Sequence, residues 1–274
     1  MFLVTGATGN VGRHVVSQLL SHGPVRALSR TPGALPSSVE ACAGGLEDIS
    51  CALDGVSSVF LMWPFHSDEL AVAVVAALRR RVRRVVFLSS GAAADPDNPI
   101  GVLHRAVESA LEESGLEWTH LRPSTFAANT LWWAPQIRGG DVVRGPYGCV
   151  RMALLHEADI ASVAVRALVE DTHHGKTYAL TGPEALSQVD QVRIIGAALG
   201  RPLRWEELDD AAARAHFLAD PGFPREFVEP LLAGYASMVG SVPVITTTVE
   251  DVTGVPARSF SLWAAEHRSA FMTS

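Results

Sequence analysis

Short apolar runs alternate along this chain with longer amphipathic ones. FLVTG (2–6), VRALSR (25–30), SSVFLM (57–62), VRRVVFLSS (82–90), LEWTHLRP (116–123) and KTYALTG (176–182) are compact and β-branched, as buried strands are. NVGRHVVSQLLSHG (10–23) has a helical period: Val11, Val15 and Leu19 share one face with Val16 and Leu20 beside them, and Gly23 and Pro24 end it. DELAVAVVAALRR (68–80), LHRAVESALEES (103–114, closed by Gly115) and HEADIASVAVRALVED (156–171) are further helices. Beyond residue 182 the pattern turns helical: LSQVDQVRIIGAALG, a run from Asp209 to Met238, and SFSLWAAEHRSAF with Ser259 as its N-cap. Strands alternating with helices predict a parallel sheet covered on both faces.

The first strand leads into TGATGNVG (5–12), with glycines at 6, 9 and 12. A strand, a glycine turn and a helix N-terminus together make a phosphate cradle. Gly6 permits the tight turn, Gly9 lets backbone approach a diphosphate, and Gly12 lets the helix pack on the strand. Thr8, Asn10 and Val11 complete the expected contacts. The alternative is a tight βα turn with no ligand. The end of the second strand is where such folds select the coenzyme, and between Pro24 and Val39 there is no Asp or Glu to hold a ribose hydroxyl. Arg30 stands there instead, a planar fork suited to a 2′-phosphate. NADP(H) is therefore preferred over NAD(H). The fold class is α/β: a Rossmann-type doubly wound parallel sheet with a smaller, mainly helical C-terminal substrate region, divided at 1–182 and 183–274 but interlocked as one unit.

Composition narrows the function further. With 274 residues and 48% hydrophobic content the chain can bury a large core, and a net charge of −7 argues against general nucleic-acid binding. No run approaches the length of a membrane span and no signal peptide is read, so a cytoplasmic protein is expected. Cys42, Cys51 and Cys149 are few and widely spaced, and are expected to form neither a metal nor a redox pair.

TGATGNVG, VRALSR, VFLMWP, VVFLSS, SGLEWTHLRPSTFAAN, HEADIASVAVRAL and, from Thr246, TTTVEDVTGVPARSFSLWAAE together resemble the NmrA-like branch of the atypical short-chain dehydrogenase/reductases over nearly the whole chain. The resemblance implies an NADPH-dependent reductase of quinones or other small molecules, or an NADP-binding regulator that does no chemistry. Reductases of this kind generally use a tyrosine with a lysine four residues later. None of Tyr147, Tyr178 and Tyr235 is followed by one, and Lys176 is the only lysine. Family members that keep only the lysine place it fifteen residues before the threonine matching Thr119, a slot held here by His104; the family's serine falls near Ser90 or Gly91. His104 and Ser90 are thus the candidate catalytic residues, with Glu108 one turn on to orient or charge the imidazole.

Met62, Trp63 and Ser89, at strand ends, are expected to line the route to the nicotinamide. Phe65, Phe126, Trp132 and Trp133 would wall a flat site for a small aromatic substrate. Asn129 falls where the resemblance implies an asparagine that organises its loop. The basic run RRRVRR (79–84) is expected to be a solvated face rather than an anionic partner's site. His156, Glu157 and Asp159 open a helix and read as structural rather than metal-binding. His173 and His174 read as inert, and no GxSxG nucleophile is present. The expected protein reduces a small aromatic, quinonoid or carbonyl molecule with NAD(P)H. The rivals are a non-catalytic NADP sensor and an enzyme whose nucleotide is merely structural. The oligomeric state is open, a homodimer included.

Overall fold

A computed structural model describes residues 1–220 and 223–273. Its strands are β1 (Phe2–Thr5), β2 (Val25–Ser29), β3 (Glu40–Ala43), β4 (Ser58–Met62), β5 (Arg84–Leu88), β6 (Glu117–Pro123), β7 (Val142–Gly145), β8 (Arg151–Met152), β9 (Lys176–Leu180), β10 (Leu186–Ser187) and β11 (Arg204–Glu207). Its helices are α1 (Gly12–Leu19), α2 (Ala71–Arg79), α3 (Pro99–Glu112), α4 (Ala134–Gly139), α5 (Glu157–Val169), α6 (Gln188–Leu199), α7 (Asp210–Ala219), α8 (Val228–Met238), α9 (Thr248–Thr253) and α10 (Phe260–Glu266). The expected helical run from Asp209 to Met238 is two helices, and the part of it at 221–222 lies outside the described residues.

The chain divides into two compact units. The first comprises Met1–Ser124, Glu157–Thr181 and Thr246–Ala257. It holds a seven-stranded sheet in the order β3-β2-β1-β4-β5-β6-β9, with every pairing parallel. Leu3, Val59, Leu61, Val85 and Phe87 point one way, into a core closed by Val74, Val75 and Leu78 of α2 and Val107 and Leu111 of α3. α1 and α5 pack together on the sheet, with α5 against β4, β5 and β6. Both faces are covered, as the unbroken apolar runs of β4 and β5 require.

The second unit comprises Thr125–His156, Gly182–Ile245 and Arg258–Ser274. It is mainly helical, but it also takes residues 125–156, so the single cut expected at 182 does not describe it. The reason is strand pairing: β7 pairs parallel with β11 and β8 antiparallel with β10, which stitches the two segments together. Trp263, Phe260 and Phe271 form its core with Val192 and Ile195 of α6 and Ile137 of α4. Its helices begin as the sequence indicates. Ser259 accepts from the Leu262 N–H, and Ser187 forms a capping box with Asp190.

Two expectations about surface chemistry need correction. Arg84, within the basic run, is not on a solvated face. It is only 3% exposed, and its guanidinium binds Glu117 at 2.8 Å, Asp171 at 2.5 Å and the Leu168 carbonyl at 3.1 Å. The strand start that carries it lies between two carboxylates brought in by β6 and the segment after α5. Nor are the cysteines all apart. β3, an edge strand missing from the sequence reading, lies beside the 3₁₀ segment Leu46–Ala52 and sets the Cys42 and Cys51 sulfurs 3.6 Å apart.

No helix among the described residues is long and apolar enough to cross a membrane.

Candidate functional site

β1 is flanked by β2 on one side and β4 on the other, so the connections leaving their carboxyl ends diverge there. That is where open parallel sheets bind ligands. A cavity of about 460 Å³ occupies this place, lined by Thr5, Gly6, Thr8 and Gly9 after β1, Leu28 to Thr31 after β2, Gly44 to Leu46 after β3, and Met62 and Pro64 after β4. Thr5 joins the two sides: its hydroxyl oxygen accepts from the Met62 N–H at 2.8 Å and its O–H donates to the Phe60 carbonyl at 3.2 Å.

The glycine turn is built as its spacing requires. Gly6 has φ +62°, and the Gly9 N–H donates to the Gly6 carbonyl at 2.9 Å, closing the turn. A Cβ on Gly12 would overlap that same carbonyl, so only glycine lets α1 start so close to β1. No side chain caps α1 and no acidic residue sits in its first turn, which leaves its positive end open to an anion. Asn10 is exposed, whereas Val11 and Gly12 are buried where the helix begins. After β2, the Ser29 hydroxyl accepts from the Thr31 N–H at 3.1 Å and shapes the bend that presents the exposed Arg30 to the cavity. Among the described residues the lining includes one guanidinium and no carboxylate.

Gly6, Thr8, Gly9, Arg30 and Met62 therefore share one cavity. Two of the other expected coenzyme contacts, Trp63 and Ser89, point elsewhere. Trp63 follows Met62 on an extended segment and so faces the opposite way. It is buried among Ala71, Val74 and Val75, donates through Nε1 to the Ser67 carbonyl at 2.9 Å, and meets Phe65 edge-on at 5.2 Å. Phe65 packs on the same core rather than on a cavity wall. Ser89 is buried, and its hydroxyl donates to Glu108 Oε1 at 2.6 Å. Ser90 accepts from the Ala92 N–H and caps the short turn Gly91–Ala94.

His104 lies on α3 with its ring stacked 6.0 Å from Phe87. Its Nδ1 is 2.8 Å from the Ile100 carbonyl, which can only accept, so Nδ1 carries the hydrogen and Nε2 is the ring's other nitrogen site. Glu108 does not orient it. That carboxylate is fully buried and turned to Arg122, which binds it through two nitrogens at 2.9 and 2.6 Å, and to Arg105 at 2.5 Å. Burial pushes its pKa up, but the hydrogen bonds from Arg122 and Ser89, the nearby His120 and Arg105 outweigh burial and hold it at about 2. The two-pronged guanidinium on β6 takes the carboxylate away from the imidazole one turn away.

The second unit has an aromatic cavity of about 370 Å³. Trp132 and Trp133 line it; Phe126 does not, starting the 3₁₀ turn Ala127–Trp133 and bridging to Leu155 instead. Asn129 lies within that same turn. Trp205, Phe217, Phe223 and Tyr235 supply the remaining aromatic walls, with Gln136, Gln188 and His216 as polar groups. Phe217 and Phe223 stand 4.9 Å apart, and Trp133 meets Trp205 at 5.7 Å. These walls come from helices and a strand far apart in sequence and carried no local signal. The Gly44–Leu46 edge of the first cavity did carry one: the glycine pair in AGGLED (43–48) directly follows β3.

His156 is buried and pairs with Glu266 at 3.1 Å, and His173 pairs with Tyr178 and Glu170.

Residues 6–171 match the model of a family described as NAD(P)H-binding. The chain belongs to this family. It is 42% identical, over 99% of both chains, to a (4-alkanoyl-5-oxo-2,5-dihydrofuran-3-yl)methyl phosphate reductase of Streptomyces griseus. It is 32% identical, again over 99% of both, to an NAD(P)H azoreductase of Xenophilus azovorans. In fold it is similar to an Escherichia coli NADPH-dependent quinone oxidoreductase solved with NADPH: the TM-score is 0.83 over 97% of this chain and 99% of that one, at 23% identity. The residues present suit the family's coenzyme. Two glycines of the turn, at 6 and 12, have no room for a Cβ without something shifting, and the helix end beside them is uncapped.

Proposed function

We propose that this protein uses NADPH to reduce a small aromatic or quinonoid acceptor, or another conjugated carbonyl, whose reduced anion is delocalised. The cavity at the sheet's switch point carries this reading, because its lining pairs a glycine turn with Arg30 and includes no carboxylate. The relatives named above support the reductase activity. The coenzyme supplies the hydride when bound. The turn at residues 6–12 holds a diphosphate through backbone N–H groups, and Arg30 clamps the 2′-phosphate that distinguishes NADPH from NADH. Trp132, Trp133, Trp205 and Tyr235 offer flat apolar walls to a planar acceptor.

The absent tyrosine–lysine pair defines the acceptor's chemistry. Adding hydride to a simple ketone makes a localised alkoxide that needs an acid at once. Adding it to a quinone moves the π electrons onto a phenolate oxygen, and adding it to an acyl-substituted unsaturated lactone moves them into a dicarbonyl enolate. Both anions are weaker bases than an alkoxide, so a weaker acid such as an imidazolium is enough to protonate them. His104, having taken up a proton from solvent at Nε2, passes that proton on and keeps its Nδ1 hydrogen on the Ile100 carbonyl.

The test is to mix the purified protein with NADPH and a panel of quinones, azo compounds, acylated unsaturated lactones and simple ketones, and to follow the nicotinamide absorbance. Oxidation with the first three classes and not with simple ketones is expected. Tight NADPH binding without oxidation across the panel would establish the sensor instead.

A further inference from the structure

We propose that Cys42 and Cys51 form a redox-modification site, a dithiol that a hydroperoxide converts to an intramolecular disulfide bordering the dinucleotide cavity. The two sulfurs are already 3.6 Å apart, and a covalent bond asks them to close to about 2.05 Å. Their approach is held by the scaffold. Arg26 on β2 binds Glu40 at 2.9 Å, two residues before Cys42, and donates to the carbonyls of Ala52 at 2.8 Å and Asp54 at 2.7 Å, just after Cys51. One guanidinium thus pins both thiol-bearing segments. Cys51 is exposed, while Cys42 is half-buried on the edge strand. Burial, and then the neighbouring sulfur, push the Cys42 thiol up, so the exposed Cys51 meets the oxidant first.

The chemistry balances with the hydroperoxide as oxidant. The Cys51 thiolate attacks a peroxide oxygen, the O–O bond breaks, and hydroxide leaves and takes up a proton as water, giving a sulfenic acid. The Cys42 thiolate then attacks that sulfur, the S–O bond breaks, and a second water leaves. Two thiols are oxidised by two electrons and one hydroperoxide is reduced.

The new bond closes a loop over residues 43–50, and Gly44, Gly45 and Leu46 in that loop line the dinucleotide cavity. This second half of the proposal rests on the coenzyme reading above. Drawing Leu46–Ala52 toward β3 displaces that wall, and NADPH binding should weaken by roughly fivefold, about the worth of one backbone hydrogen bond.

The full-length protein, wild type and with Cys42→Ser or Cys51→Ser, is titrated with hydrogen peroxide. Alkylation under denaturing conditions, intact mass and non-reduced peptide mapping follow. The wild type should lose two alkylatable thiols and two mass units, give a peptide linking 42 to 51, and leave Cys149 alkylatable; dithiothreitol should reverse this. Cys42→Ser should instead stop at a sulfenic acid that dimedone traps on Cys51, and Cys51→Ser should give no linked peptide. Oxidation of Cys149 at an equal rate, intermolecular disulfides, or Cys51 passing to sulfinic acid in the wild type would overturn the site. Calorimetry with NADPH before and after oxidation tests the coupling, and an unchanged affinity overturns it. Failure of the reduced protein to bind NADPH would sink the coenzyme reading and leave the mass result standing.

Discussion

Glu108→Gln keeps the shape of a fully buried side chain and removes its charge, leaving the guanidinium groups of Arg122 and Arg105 without their shared anion. In the folded protein the carboxyl titrates at about 2 instead of 4.5. Each tenfold change in proton affinity is worth about 1.36 kcal/mol, so the ionised form contributes roughly 3 kcal/mol at neutral pH, as an upper figure. The sign follows from the direction of the shift. Because the folded pKa is depressed, the contribution is complete above about pH 4.5 and is lost as pH falls toward about 2. The variant should therefore be less stable than wild type by roughly 2–3 kcal/mol at pH 7, and the gap should narrow through that acid window. Urea denaturation at pH 7, 4.5 and 3, followed by circular dichroism, measures it. A gap under about 1 kcal/mol at pH 7, or one that stays constant with pH, would refute the assignment of the carboxylate to Arg122. The same variant distinguishes the two roles considered for Glu108. If it charged His104, the midpoint of the pH–rate profile would move; with the carboxylate committed to Arg122, that midpoint should stay.

Arg30→Ala should weaken NADPH binding by about 10- to 100-fold and leave NADH nearly unaffected, as loss of a charge-assisted two-point contact implies; equal losses by calorimetry would remove the 2′-phosphate assignment. His104→Ala should lower turnover by about 100-fold with NADPH affinity within a factor of two, and an unchanged rate excludes the imidazole as proton donor. Gly12→Ala drives a methyl into the Gly6 carbonyl, so the turn must shift and NADPH affinity should fall at least about tenfold; normal affinity would mean the cradle is not where the diphosphate sits. His120→Phe replaces a fully buried ring whose Nδ1 has no hydrogen-bond partner among the described residues and whose Nε2 lies 3.3 Å from Glu112 Oε1. Burial holds its pKa below 6.5, so the wild type loses stability as pH falls below that value, and the variant should be unchanged or more stable by up to about 1 kcal/mol at pH 6. A loss above about 2 kcal/mol in thermal or chemical denaturation would show that the Nε2 contact with Glu112 outweighs the cost of burying the ring.

Local pattern was enough for the sheet and the cradle. The apolar runs ending at Thr5, Met62 and Leu88 became parallel strands because a strand buried on both faces is apolar nearly throughout. The glycine spacing at 6, 9 and 12 marked the turn because backbone conformation and the lack of a Cβ are properties of the residue itself. The place of Arg30 on the cavity was legible because the end of β2 is a fixed place in this topology. What sequence left open were matters of direction and partnership. Trp63 and Met62 are neighbours, yet the pleat sends one into the core under α2 and the other to the cavity. Glu108 has the spacing to serve His104, but Arg122, fourteen residues on, arrives from β6 with a better fork. Cys42 and Cys51 look unrelated until an edge strand and a 3₁₀ segment meet. The chain's own residues determined each local conformation. Only the packed structure decided which side chains met, because a contact between distant segments depends on the register and facing of every element that lies between them.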